Sequence, residues 1–218
     1  MVIKRKVHSA PKKEVSIFDK FKNFLSKEED AVRTDKKKQF VFFVLGFLVS
    51  YLLITAIIGF IPQIFFKSAT GSAVQVLLSL QGVQTQNASV ITCNEFSWFT
   101  DYAAGECYSF FASDKQIIIS WLCTGILEII ILISAILASF GVNWNKKLIG
   151  IGAAIVAGVV FNLARIWITV NFILTQQGPV VELAHDVLFR IVLFIYIVLV
   201  YVLWFTWAAK EKNRGRKK

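Results

Sequence analysis

Four long apolar runs alternate with polar segments along the chain, and they predict its main elements. The runs cover about residues 40–61, 117–140, 148–174 and 186–209. At a rise of about 1.5 Å per residue, each run forms a helix long enough to cross a hydrocarbon layer of about 30 Å. The pattern therefore predicts an all-α polytopic membrane protein with about four transmembrane helices.

The polar stretch between the first two runs, residues 63–115, is predicted to be an outer, extracytoplasmic loop. Its apolar part, residues 72–80, is too short to cross the membrane, so we expect an interfacial helix there. Short strands are predicted near residues 90–91 and 116–120. These elements would lie outside the hydrocarbon layer.

The basic residues set the expected orientation. Of 24 Lys and Arg residues, 12 precede residue 40, two lie at 146–147 and six lie in the tail 210–218. With four spans and a cytoplasmic N-terminus, all three clusters face the cytoplasm of a multi-pass cell-membrane protein. The net charge of +10 is therefore assigned to topology and anionic lipid, not to nucleic-acid binding. Residues 1–39 are predicted to form either a basic amphipathic helix on the membrane or a partly disordered tail.

This topology brings four side chains with functional chemistry to the outer third of the membrane. They are Cys123, Arg165, His185 and Arg190. An arginine within a span costs on the order of 2.5–3.5 kcal/mol, so such a residue is usually functional or paired. A nearby positive charge favours the thiolate, which is the nucleophilic form of a cysteine. We therefore predict a cysteine nucleophile with arginine partners.

Other roles for these residues stay open. Arg165 either takes part in catalysis, pairs with Glu128 or Asp186, or extends its charged end outward to the membrane surface. Arg190 either joins the site or forms an ion pair with Asp186, four residues earlier on the same helix face. His185 is either a general base or an interfacial histidine with its polar end in water.

Two residues near the candidate nucleophile are expected to bind or admit the substrate. Gly125 would leave the backbone open for a substrate chain, and Asn162 would orient Arg165 by a hydrogen bond. The third run also carries a small-residue face over 150–158, which lets helices pack closely. That face either packs within the protein's own bundle or docks a substrate helix.

The other two cysteines suggest a covalent link. Cys93 and Cys107 both lie in the outer loop, where the setting is oxidising, so a disulfide between them is expected. Neither has partners with metal-ligand spacing, because the only histidines are His8 and His185. We predict no metal site and no cofactor.

Four segments occur in order between about residues 72 and 205. They are LLSLQGV at 77–83, an apolar stretch that reaches a glycine, CTGI at 123–126, NLAR at 162–165, and His185-Asp186 followed by Arg190. Over this range the chain resembles the exosortase/archaeosortase family of membrane transpeptidases. CTGI resembles the family's Cys-Ser/Thr-Gly-Ile motif, NLAR resembles its Asn-x-x-Arg motif, and the last segment is similar to its third motif.

The resemblance implies a cysteine-dependent protein-sorting enzyme. Its substrates would be exported proteins with a C-terminal motif, a transmembrane helix and a basic tail. Cys123 would form an acyl-thioester, Arg165 would be the second catalytic residue, and His185 or Arg190 the third. The new C-terminus would pass to an amine, which in archaeosortases is thought to belong to a lipid.

Two functions from other classes stay open beside the transpeptidase. A small anion transporter or channel would use the intramembrane arginines to bind its ion, and Cys123 would then be dispensable. A non-enzymatic membrane scaffold would depend on no single polar residue.

Overall fold

The computed structural model describes residues 36–95, 103–175 and 189–215. Within them lie the helices α1 (Lys36–Gly59), α2 (Gln63–Leu80), α3 (Ile126–Ala138), α4 (Trp144–Thr175) and α5 (Phe189–Gly215), the strands β1 (Thr85–Glu95), β2 (Ala103–Ala112) and β3 (Lys115–Ile119), and a 3₁₀ turn at Trp121–Cys123. The fold is mostly helical with a small three-stranded sheet, so it is not all-α, and the short strands predicted near residues 90–91 and 116–120 are confirmed within β1 and β3.

The chain divides into two units, Met1–Phe42 and Phe43–Lys218. Of the first unit the structure describes residues 36–42, where α1 begins. Helix α1 begins at Lys36, so residues 36–39, which were predicted to belong to the tail, are helical. The rest of that tail, with its predicted amphipathic helix, lies outside the described residues.

Three helices in the described part of the chain are long and apolar enough to cross a membrane: Lys37–Gly59, Trp144–Thr175 and Ile191–Lys210. They correspond to the first, third and fourth predicted runs. The predicted helix over 117–140 is wrong at its start, where the chain forms β3 and the 3₁₀ turn. The helix that remains, α3, has 13 residues and a length of about 20 Å, which by itself falls short of about 30 Å.

Helix α4 packs against the three helices α2, α3 and α5. Its 32 residues have a length of about 48 Å. Residues four apart lie on the same helix face, and one such stripe is buried along the whole helix. The stripe consists of Gly150, Ala154, Gly158, Asn162, Ile166 and Val170.

The first half of α4 packs against α3 and α5. A Cβ atom added to Gly150 would lie 2.1 Å from Trp204 Nε1 on α5, and one added to Gly158 would lie 2.5 Å from Ile129 Cγ1 on α3. The small residues therefore allow the protein's own helices to approach α4. This packing involves Gly150 and Gly158, whereas Gly152 and Ala153 are exposed, so the docking of a substrate helix on the small-residue face stays a prediction.

The second half of α4 packs against α2 and the sheet. Val74 and Leu78 of α2 and Phe110 and Ile119 of the sheet share one buried cluster with the second half of α4. Helix α2 starts at Gln63, well before the predicted interfacial helix at 72–80. This apolar cluster holds the sheet against α2 and α4.

The sheet is antiparallel with the strand order β1-β2-β3. Cys93 and Cys107 lie on paired strands and form a disulfide, with their Cα atoms 5.9 Å apart. Lys67 of α2 is fully buried and donates a hydrogen bond of 2.6 Å to the carbonyl oxygen of Glu106. The β1–β2 hairpin is thus covalently closed and tied to α2.

The opposite end of the helical bundle carries lysines and tryptophans. Lys147 donates to the Leu137 carbonyl over 2.7 Å, and Lys146 donates to the Ala208 carbonyl over 2.9 Å. These bonds join the end of α3, the start of α4 and the end of α5. Lys147 also lies 5.5 Å from the ring centre of Trp144. Lysine with tryptophan at helix ends is typical of a membrane–water interface.

Candidate active site

Cys123 lies at the junction between the sheet and α3. Strand β3 ends at Ile119, Ser120 continues in extended conformation, and the 3₁₀ turn brings Cys123 back towards it. The Cys123 Sγ is 3.4 Å from Ser120 Oγ. Cys123 is a free, partly exposed cysteine, so its thiol is available for chemistry. It lies in this turn and not, as the apolar run suggested, within a transmembrane helix.

Gly125 makes the turn that starts α3. Its φ of +72° lies in the left-handed region, which glycine adopts without the strain that other residues would carry. A Cβ atom there would lie 2.6 Å from Asn162 Cγ and 2.9 Å from Asn162 Oδ1. The space beside Gly125, which was expected to admit a substrate chain, is therefore filled by Asn162.

Asn162 holds the backbone of the candidate nucleophile. Its side chain is only 5% exposed, and its Nδ2 donates a hydrogen bond of 2.9 Å to the Cys123 carbonyl oxygen. The Oδ1 atom is buried and has no hydrogen-bond partner in the part of the chain that the structure describes. Asn162 was expected to orient Arg165, whereas its hydrogen bond goes to Cys123.

Arg165 lies almost one turn further along α4 and contacts the preceding carbonyl. Its Nη2 donates to the Leu122 carbonyl oxygen over 3.2 Å, and the side chain is half-buried. Within residues 36–95, 103–175 and 189–215, no carboxylate pairs with Arg165. The alternative ion pair with Glu128 is therefore absent, and Asp186 lies outside the described residues.

Two predicted members of the site stay predictions. His185 lies outside the described residues. Arg190 is the second residue of α5, but its side chain is not among those described. Among the described residues, no group of His, Cys, Asp and Glu could hold a metal ion.

Two hydroxyl residues near Cys123 were given no role from the sequence, although Thr124 belongs to the CTGI motif. Ser120 contacts the thiol, as described above, and Thr124 Oγ1 donates to the Trp121 carbonyl over 2.8 Å. Thr124 thereby caps the 3₁₀ turn. Serine and threonine side chains often form hydrogen bonds with nearby backbone groups at turns. If a strand-to-helix turn at 120–125 had been predicted from the sequence, it would have indicated a role for both residues.

The start of α3 adds a positive electrostatic field to the site. The first amides of a helix lack partners inside the helix, and the helix dipole makes this end positive. Gly125 itself has no side chain to cap the helix start, and Thr124 Oγ1 accepts a hydrogen bond of 3.5 Å from the Ile126 amide. Cys123 lies three residues before Ile126, the first residue of α3.

A scan against protein-family models, a search of curated proteins and a search of solved structures each gave no match to this chain. The function is therefore argued from the geometry of the site itself.

Proposed function

We propose that this protein is a membrane cysteine transpeptidase that sorts exported proteins. The observation that carries the proposal is that one turn of α4 holds two successive carbonyls beside a free thiol. Asn162 binds the carbonyl of Cys123, and Arg165 binds that of Leu122. A polar cluster of this kind fixes a nucleophile and brings a positive charge close to it.

The reaction starts with attack of the Cys123 thiolate on the scissile carbonyl carbon. A C–S bond forms, and negative charge develops on the carbonyl oxygen. Arg165 and the amides of the first turn of α3 that lack a partner are the donors that would stabilise this oxyanion, and such donors act most strongly where water is excluded. The C–N bond then breaks, the departing amine takes up a proton, and an acyl-thioester remains on Cys123.

An amine nucleophile completes the transfer. It attacks the thioester carbon, an amide bond forms, and the Cys123 thiolate leaves. A lipid amine would suit this role because it is held at the same membrane surface as the thioester, which raises its effective concentration. The amine loses one proton, so the cycle consumes no oxidant or reductant.

The depth of the site fits a membrane-tethered substrate. Arg165 lies 18 residues beyond Lys147 on α4, or about 27 Å along the helix. If Lys147 marks the cytoplasmic interface, then Arg165 lies near the outer one, for a hydrocarbon layer of about 30 Å. The proposed topology therefore keeps both termini in the cytoplasm and turns the site outward, towards exported proteins with a C-terminal transmembrane helix.

Anion binding is the second candidate function. Its support is that Arg165 has no carboxylate partner among the described residues, so its charge could hold an anion. A transporter of this kind needs the charge of Arg165 but not the thiol of Cys123. The two functions thus differ in their dependence on Cys123.

Mass spectrometry of substrate C-termini tests the proposal. Exported proteins are compared from cells with the wild-type protein and from cells with Cys123→Ala or Cys123→Ser. The expected result is a truncated, modified C-terminus in wild-type cells and an intact sorting signal in both variants. Membrane levels of the variants serve as the control for folding. Unchanged processing with Cys123→Ala would refute the transpeptidase.

A further inference from the structure

Strand β3 has one open edge. It pairs with β2 along residues 115–119 and is the last strand of the sheet. On its other side, no backbone group within the described residues bonds to residues 115–119. An edge strand with unpaired N–H and C=O groups is a ready template for another extended chain.

The open edge leads to the candidate nucleophile. Lys115–Ile119 covers about 17 Å at about 3.3 Å per residue. Ser120 follows with φ −87° and ψ 175°, so the extended direction continues to the residue that contacts Cys123 Sγ. A peptide paired with β3 would therefore run alongside the strand to the thiol.

The two edges of the sheet differ in how they are protected. Strand β1 has an irregular register between Gln86 and Ser89, and Asn87 there has a positive φ of 53°. Bulges of this kind twist an edge and discourage pairing. The pairing of β3 with β2 is regular over all five residues. Of the two edges, β3 is the one suited to bind a strand.

The open backbone also places β3 outside the hydrocarbon. Unpaired backbone groups are not tolerated in contact with lipid tails. Lys115 at the start of β3 donates to the carbonyl of Ile173, near the end of α4 that lies far from Lys146 and Lys147. The edge is thus suited to a peptide that lies at the outer membrane surface.

We propose that the β3 edge binds the segment next to the scissile bond of the substrate as a fourth, extended strand. This inference rests on the proposed transpeptidase function and adds its mode of substrate recognition. Backbone hydrogen bonds to β3 would hold the segment and bring its carbonyl to Cys123. Specificity would come from alternate side chains, because side chains on a strand alternate between faces.

Photo-cross-linking in the native membrane tests the binding mode. In the Cys123→Ala protein, p-benzoylphenylalanine replaces either Ile118 on β3 or Val90 on β1. Both residues are exposed, to 46% and 54%, and each lies on an edge strand, so Val90 is a matched control. We expect Ile118 to give a cross-link to residues beside the cleavage site that mass spectrometry maps in wild-type cells, and Val90 to give none.

Three results would overturn the proposal. They are a cross-link from Ile118 to residues 176–188 of this chain, a cross-link to a substrate segment far from the cleavage site, or equal cross-links from both positions. Mapped processing without a cross-link from Ile118 refutes the edge-strand binding and leaves the transpeptidase standing. No processing in wild-type cells refutes both.

A synthetic substrate provides an independent measurement. Peptides that span the mapped cleavage site carry one N-methyl group each, at successive positions. Pairing with β3 predicts that processing falls at least tenfold at every second position and less than threefold at the positions between, because alternate amides point to one edge. If the fall in processing does not alternate between successive N-methylated positions, edge-strand binding is contradicted.

Discussion

Asn162 Nδ2 donates a hydrogen bond of 2.9 Å to the carbonyl oxygen of Cys123. This bond determines which way the Asn162 side-chain amide is turned, because the flipped amide would bring Oδ1, an acceptor, against the Cys123 carbonyl oxygen. It joins α4 to the turn that carries the thiol, and Gly125 leaves the space in which the Asn162 side chain lies. The geometry of the candidate nucleophile therefore depends on three residues together.

Asn162→Asp should damage the site while keeping the size of the side chain. A carboxylate cannot donate to the Cys123 carbonyl, and a buried group without its partner costs about 1–3 kcal/mol. We expect substrate processing to fall at least tenfold and the alkylation rate of Cys123 to change. Asn171→Asp is the matched control, since Asn171 is on the same helix and bonds to Gln81 and to its own helix. Equal rates for Asn162→Asp and wild type would contradict the positioning role.

Gly125→Ala should destabilise the start of α3. Alanine at φ +72° is strained, and its Cβ would overlap Asn162 Cγ at 2.6 Å, so we expect a loss of about 1–3 kcal/mol. Gly152→Ala on α4 is the control, because nothing lies within 4 Å of its added Cβ. Alanine there should be neutral or stabilising by up to about 1 kcal/mol. Thermal unfolding in detergent measures both variants, and equal midpoints would argue against the tight contact.

Arg165→Lys should separate the two candidate functions. Lysine keeps the charge but loses the planar, multi-donor guanidinium. If Arg165 stabilises the oxyanion, the processing rate should fall about 100-fold, as for the loss of one oxyanion donor. An anion transporter would keep partial function in the same variant. Arg165→Gln, which keeps a donor but lacks the charge, should be slower still. Processing by Arg165→Lys within twofold of wild type would exclude a catalytic role.

The disulfide should stabilise the β1–β2 hairpin. Cys93 and Cys107 are 14 residues apart, and closing a loop of about 15 residues stabilises by about 3 kcal/mol in the chain-entropy treatment. The Cys93→Ser, Cys107→Ser double variant should therefore unfold at a lower temperature than wild type. Thiol titration of the denatured protein gives a direct check. One thiol should react before reduction and three after it, and three reactive thiols without reductant would show that the bond is absent.

The sequence by itself determined where the long helices lie. The apolar runs at 40–61, 148–174 and 186–209 coincide with α1, α4 and α5 because a run of about 20 apolar residues has few alternatives to a helix. It also singled out Cys123, Asn162 and Arg165, since a cysteine with glycine nearby and an intramembrane arginine are unusual. The spacing of three puts Asn162 and Arg165 on neighbouring positions of one helix surface.

The sequence predicted both a short strand near residues 116–120 and a helix over 117–140, and only the tertiary structure decided between them where they overlap. Ile117, Ile118 and Ile119 suit a strand as well as a helix, and the choice was made by pairing with Phe110 and its neighbours on β2. The start of α2 was not predicted either, because Lys67 is a charged residue ahead of the apolar stretch. Its burial depends on a carbonyl partner that lies 39 residues away.

The bond from Asn162 to Cys123 also spans 39 residues. Such contacts depend on how separate elements pack, and local periodicity carries no information about them.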